Sequence, residues 1–109
     1  MRNFNSGATR DTVDNKLSYV KALSPIVLRR YVEYLGKHRV QADGKLRDWD
    51  NWKQGIPKDV YLDSLGRHFI EVWLNGKTET EDIQESLCAV IFNAMGMLFE
   101  ELNEELMRS

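Results

Sequence analysis

The stretch SLCAVIFNAMGMLF, Ser86 to Phe99, constrains this chain more than any other. Wound as a helix it is apolar on nearly every side, and such a helix has to be surrounded. The pattern predicts a third and last helix over 80–107, about 40 Å long at ~1.5 Å per residue. Thr78 or Thr80 caps its start, and Thr78-x-x-Glu81 fits a capping box. The chain has 109 residues, one domain's worth. Three helices hold too little material to enclose the apolar run, so the reading places part of it against a second subunit. Asn93 sits in the middle of the run. An unpaired buried amide costs about 1–3 kcal/mol, so Asn93 must meet a partner. Two readings are open for it: an amide that reads a base edge or steadies a carboxylate, and an interhelical hydrogen bond that fixes register.

Upstream, residues 1–23 are polar and aperiodic and read as an extended arm. Ser24 followed by Pro25 is a helix start, with an N-cap serine and proline at the first helical position. Leu28, Tyr31, Val32 and Leu35 then make an apolar stripe, and Gly36 with Lys37, His38 and Arg39 suits a helix end. The first helix is therefore expected over 24–38. Residues 39–56 form a long irregular connection, a length often reserved for function. Pro57 opens a second helix over 57–75, stopped by Asn75-Gly76, with Val60, Leu65, Phe69, Val72 and Trp73 on its buried side. The loop after it is short, so helices two and three are expected to run antiparallel. The fold class is all-α: an arm and three main helices in a single domain, 1–109, packed in a homo-oligomer.

Composition narrows the function classes. A net charge of -2 gives no global pull toward nucleic acid or a membrane surface, and the acidic tail EELNEEL argues against a nucleic-acid face. No apolar stretch approaches the ~20 residues of a membrane span. The single cysteine, Cys88, cannot form an internal disulfide, which suits a reducing, cytoplasmic setting. Walker, dinucleotide-binding and CxxC motifs are missing from the sequence.

The remaining chemistry lies on two stripes. Tyr61, Ser64, His68 and Glu71 share one face of the second helix, and Asp82, Glu85, Ala89 and Asn93 one face of the third. Side by side, they line a crevice with acids and a histidine at its mouth and the amide deeper in. Asp82, Glu85 and Glu71 are candidate ligands for a hard ion such as Mg²⁺ or Mn²⁺, with Glu71 and Glu85 the candidate catalytic carboxylates. The plain alternative is that Asp82 and Glu85 only favour a helix N-terminus. Arg67 could clamp a phosphate or make a surface ion pair, and His68 could serve the ligand or the interior. Trp49 and Trp52 lie on the loop and could stack a base, whereas Trp73 reads as packing. Asn51 is either a ligand contact or a turn-former.

In the order SGATRD, SPIVLRRYVEYLGKHR, DNWKQGIP, SLGRHFIEVWL and SLCAVIFNAMG, the chain resembles a phage-associated family of small helical proteins, the dATP/dGTP diphosphohydrolase N-terminal domain. The resemblance runs from about Asn5 to Leu98. It implies an all-α fold, a phage or prophage origin, a bacterial host's cytoplasm, and dealings with purine nucleotides. Arg10, Asp11, Asn51, Trp52, Gly55, Arg67, His68 and Asn93 are the matching positions. Where many relatives carry Asp-His before the final apolar run, this chain has Glu85-Ser86, and it carries an added VQADGKLRDW ahead of the DNW motif. The first expectation is a Mg²⁺-dependent purine dNTP pyrophosphohydrolase. A phage sponge is the second: a non-catalytic protein that sequesters nucleotide immune signals, cyclic nucleotides or ADP-ribose derivatives, against anti-phage defence. A module whose long helix only dimerises is the third.

Overall fold

The computed structural model describes residues 2–3, 5–10, 16–75 and 83–108. The protein is mostly helical. Within the expected arm, β1 (Arg2–Asn3) pairs antiparallel with β2 (Thr9–Arg10) across a turn in which Gly7 takes a φ of 87°. A four-residue helix α1 (Tyr19–Ala22) follows.

Helix α2 (Pro25–Lys37) starts where its sequence says it should. The Ser24 hydroxyl accepts a hydrogen bond from the Val27 amide, and Pro25, lacking an N–H, takes the first turn. Gly36 plays a different part from the one its sequence suggests. The helix runs through it, and a Cβ there would meet Trp49 Cη2 at 3.1 Å. It makes room for an indole instead of turning the chain.

The loop over 39–56 is organised. Val40 and Leu46 form an antiparallel bridge around a turn closed at Gly44, φ 84°. A 3-10 turn, Asn51–Gln54, is then ended by Gly55 at φ 113°, a conformation that excludes side chains other than at a cost. The Ile56 amide donates to Glu100 Oε1 at 3.2 Å, which ties the loop's end to the last helix.

Helices α3 (Lys58–Asn75) and α4 (Ile83–Arg108) carry the main packing. Lys58, at the start of α3, reaches Glu101 and Glu104 late in α4, and Glu71, near its end, accepts from Ser86 early in α4. Between these ends the small residues of α4 admit α3 closely: the Tyr61 ring lies against Gly96, where a Cβ would fall inside the ring's van der Waals envelope. Tyr61 is 1% exposed and meets Phe92 edge-on, ring centres 5.9 Å apart. Ser86, Ala89, Asn93 and Gly96 complete the buried stripe of α4. Helix α2 packs on α4 through Tyr31 and beside Cys88, both buried. Burial pushes the Tyr31 phenol up to about 12 and the Cys88 thiol above its ordinary value.

The buried side of α3 differs from the apolar one expected. Val60, Phe69 and Trp73 are half exposed, at 53%, 51% and 59%, while Leu65 and Val72 are half-buried. The face against α4 is that of Tyr61, Ser64, Leu65, His68 and Val72, because only there do the small α4 residues let the backbones approach. The start of the third helix and its capping box, 78–82, lie outside the described residues. No helix among the described residues is long and apolar enough to cross a membrane.

Candidate functional site

A cleft of about 280 Å³ opens between α2, the loop and the α3–α4 pair. His68 and Ser64 border it from α3, Asn93 and Phe92 from α4, Tyr34 and His38 from α2. The loop supplies Arg39, Arg47, Asp48, Trp49, Asn51 and Trp52. His68 and Asn93, predicted to share one crevice, do share it.

Each wall is held by local chemistry. The Arg39 guanidinium lies 4.5 Å from the centre of the Trp49 ring and its Nε donates to the Arg47 carbonyl at 2.7 Å, so one cation fastens both arms of the loop. Trp52 meets Phe99 edge-on at 4.9 Å, with Lys53 Nζ 5.6 Å from its ring centre. Asn51 opens the 3-10 turn, its amide N–H donating to the Asp48 carbonyl at 3.1 Å. The Tyr34 and His38 rings meet tilted by 47°, 4.4 Å between ring centres. Arg47 has no ion-pair partner among the described residues, so its guanidinium is the wall's available anion contact.

Asn93 is 5% exposed, and its Nδ2 donates to the Ala89 carbonyl at 2.8 Å. The amide is thus satisfied within its own helix while it borders the cleft, and neither sequence reading had placed its hydrogen there.

A second crevice adjoins the first through Tyr34, His38 and His68, and holds the carboxylates. Glu71 Oε2 lies 3.0 Å from His68 Nδ1 and accepts from Ser86 Oγ at 3.2 Å; the His68 hydrogen bond above all keeps its carboxyl below the ordinary value. Glu85 pairs with Lys37 and stands 3.8 Å from Arg30 Nη2. Lys37 is the main cause holding the Glu85 carboxyl below 4.5, against the opposite push of burial. The stability this carboxylate contributes is complete above about 4.5 and lost as pH falls through the lower folded value. The part of the unfolding midpoint that depends on Glu85 should therefore stay level from about pH 7 to 5 and drop below about 4.5. Glu85→Gln should lower the midpoint at neutral pH and make the acid limb shallower. An unchanged acid limb in that variant contradicts the pairing.

Among the described residues, no three His, Cys, Asp or Glu side chains converge on one point. Glu85 is already neutralised by two cations, Glu71 is engaged by His68 and Ser86, and Asp82 lies outside the described residues. At Glu85 the place of a counter-ion is taken by the Lys37 ammonium and the Arg30 guanidinium.

Other candidates are placed elsewhere. Arg67 pairs with Asp63 at 2.7 Å on the outer surface of α3 and does not border the cleft. Tyr61 is spent on packing. Arg10 belongs to β2, and Asp11 lies outside the described residues. Three residues that line the cleft from α2 and the loop are absent from the sequence candidates: His38 and Arg39, assigned to a helix end, and Arg47, in the added VQADGKLRDW. Their signal was Arg47 directly ahead of the paired tryptophans in RDWDNW, and the basic His38-Arg39 pair at the end of the first helix. No family model, curated protein or solved structure matches the chain in the three comparisons made.

Proposed function

We propose that this protein binds a purine nucleotide, or a signal molecule built from one, and holds it without breaking it, as a phage sponge does. One observation carries the reading: the cleft brings Arg39, Arg47 and His68 together with Trp49, Trp52, Asn51 and Asn93. Guanidinium groups suit phosphate, indoles stack on bases at ~1–3 kcal/mol each, and amides match base edges. At about 280 Å³ the cleft is near the lower end of small-molecule sites, ~300–1,000 Å³. It takes one nucleotide unit, and the rest of a larger signal extends into the neighbouring crevice beside His38. The resemblance to the dATP/dGTP diphosphohydrolase family supports a purine and a bacterial host's cytoplasm. The pairing of Lys58 with Glu101 and of Glu71 with Ser86 supports antiparallel long helices. The protein works as a homo-oligomer.

The hydrolase reading retains one supporting observation, that Glu71, Glu85 and His68 border a common crevice. It would require Mg²⁺ or Mn²⁺ to take the place of Lys37 and Arg30 at Glu85. The two readings part in one experiment. Nucleotides, cyclic dinucleotides and ADP-ribose derivatives are screened by thermal shift with and without Mg²⁺, followed by mass analysis of the recovered ligand. Binding at 100 times Kd adds about 2.7 kcal/mol of stability. The sponge reading expects a metal-independent shift and an intact ligand. Pyrophosphate release from dATP or dGTP would establish the hydrolase instead, and a screen with no shift would dismiss both.

A further inference from the structure

Helix α3 buries its more polar side and shows solvent its more apolar one. On the exposed side, Leu62, Gly66, Phe69 and Trp73 follow one another at spacings of four, three and four. Helix α4 repeats the arrangement with Leu87, Ile91, Ala94 and Leu98, again four, three and four, and again exposed. Such spacing makes the apolar seam of a helix that packs knobs into holes against another helix. Neither seam contains a charge, and neither supplies a residue to the cleft. A lone solvated surface does not hold Phe69 at 51%, Trp73 at 59% and Leu98 at 59% exposure on adjoining helices without cost.

The geometry points to a second copy of this chain as the occupant: the α3–α4 seams of two copies close on each other into a four-helix bundle. The chain's surface is 9136 Å², against about 6,200 Å² for a compact monomer of this mass. The surplus is spread over all the exposed faces. It exceeds both the ~800 Å² per partner of an ordinary stable interface and the ~1,000–2,500 Å² per partner of obligate dimers, so a fraction of it is enough for a seam-to-seam contact. Identical spacing on both helices lets a seam serve as knob and hole at once, which a two-fold, self-matching interface needs. A net charge of -2 offers little repulsion between copies. The clefts remain outside the bundle, so each copy keeps its own site.

Sedimentation equilibrium on the full chain tests this. The expected mass is twice 12.7 kDa, and Phe69→Glu combined with Leu98→Glu should halve it while the helical circular-dichroism signal stays. Hydroxyl-radical footprinting of the unaltered protein gives a readout independent of that variant: Trp73 should oxidise several-fold more slowly than Trp49. A wild-type mass of one chain, with the seam left to another segment or a foreign helix, overturns the proposal. So does a charged variant that keeps the doubled mass, or a Trp73 that oxidises as fast as Trp49.

Discussion

Gly96→Ala is expected to lower the thermal unfolding midpoint by roughly 8–16 °C, a larger effect than a methyl group added at any other described glycine should have. Alanine is the better helix former by about 1 kcal/mol, so propensity alone would stabilise α4. Sterics decide the sign. The added Cβ would sit within the Tyr61 ring, among Cε1, Cζ and the hydroxyl, and Tyr61 is 1% exposed and bounded by Phe92. The ring has no room to swing, so α3 and α4 must separate. Overpacking at a closed contact costs up to ~3 kcal/mol, leaving about 2 kcal/mol of net loss. Differential melts by circular dichroism at one protein concentration measure it. Tyr61→Leu in the same chain should return part of the loss, because the two changes share one contact. A Gly96→Ala protein that melts with the parent would mean the helices are not this close.

Arg47→Ala is expected to weaken nucleotide binding by about 10–100-fold and leave the unliganded midpoint almost where it was. A hydrogen bond to a charged group is worth about 1.5–3 kcal/mol. The Arg47 side chain borders the cleft and takes part in no ion pair among the described residues, so little structure depends on it. Arg39 would be a poorer probe, since its loss also frees Trp49 and the Arg47 carbonyl. Titration calorimetry with the ligand recovered from the screen reads the change. Arg29, paired with Glu33 on the outside of α2, is the control, and its alanine variant should bind normally. Equal weakening by both would reduce the effect to bulk charge, and no weakening by Arg47→Ala would remove it from the site.

Helix positions were legible because they rest on short-range signals. Ser24-Pro25 and Pro57 mark starts to within a residue, and the interrupted apolar period marks the ends. Side-chain direction was harder. Period alone put Phe69 and Trp73 inside, but which face of α3 is covered depends on where α4 is narrow, and Gly96 and Ala89 are too small to show a period. The cleft was half legible. His68 and Asn93 follow from a hairpin reflected about its loop, whereas Arg39, Arg47 and Trp49 arrive through a bridge at Val40 and Leu46 that brings distant loop positions together. Gly36 showed the same limit from the other side: a glycine near a helix end fits either a turn or a docking indole, and only the position of Trp49 separates them.

Cys88 has one more consequence. It is the chain's single thiol, lies buried beside Tyr31 and Arg30, and burial holds it in the unreactive protonated form. Alkylating reagents can reach it only while α2 lifts from α4, so the protein carries a natural clock for that opening. Ligand in the cleft spans both helices and should slow the clock, letting occupancy be followed without a label.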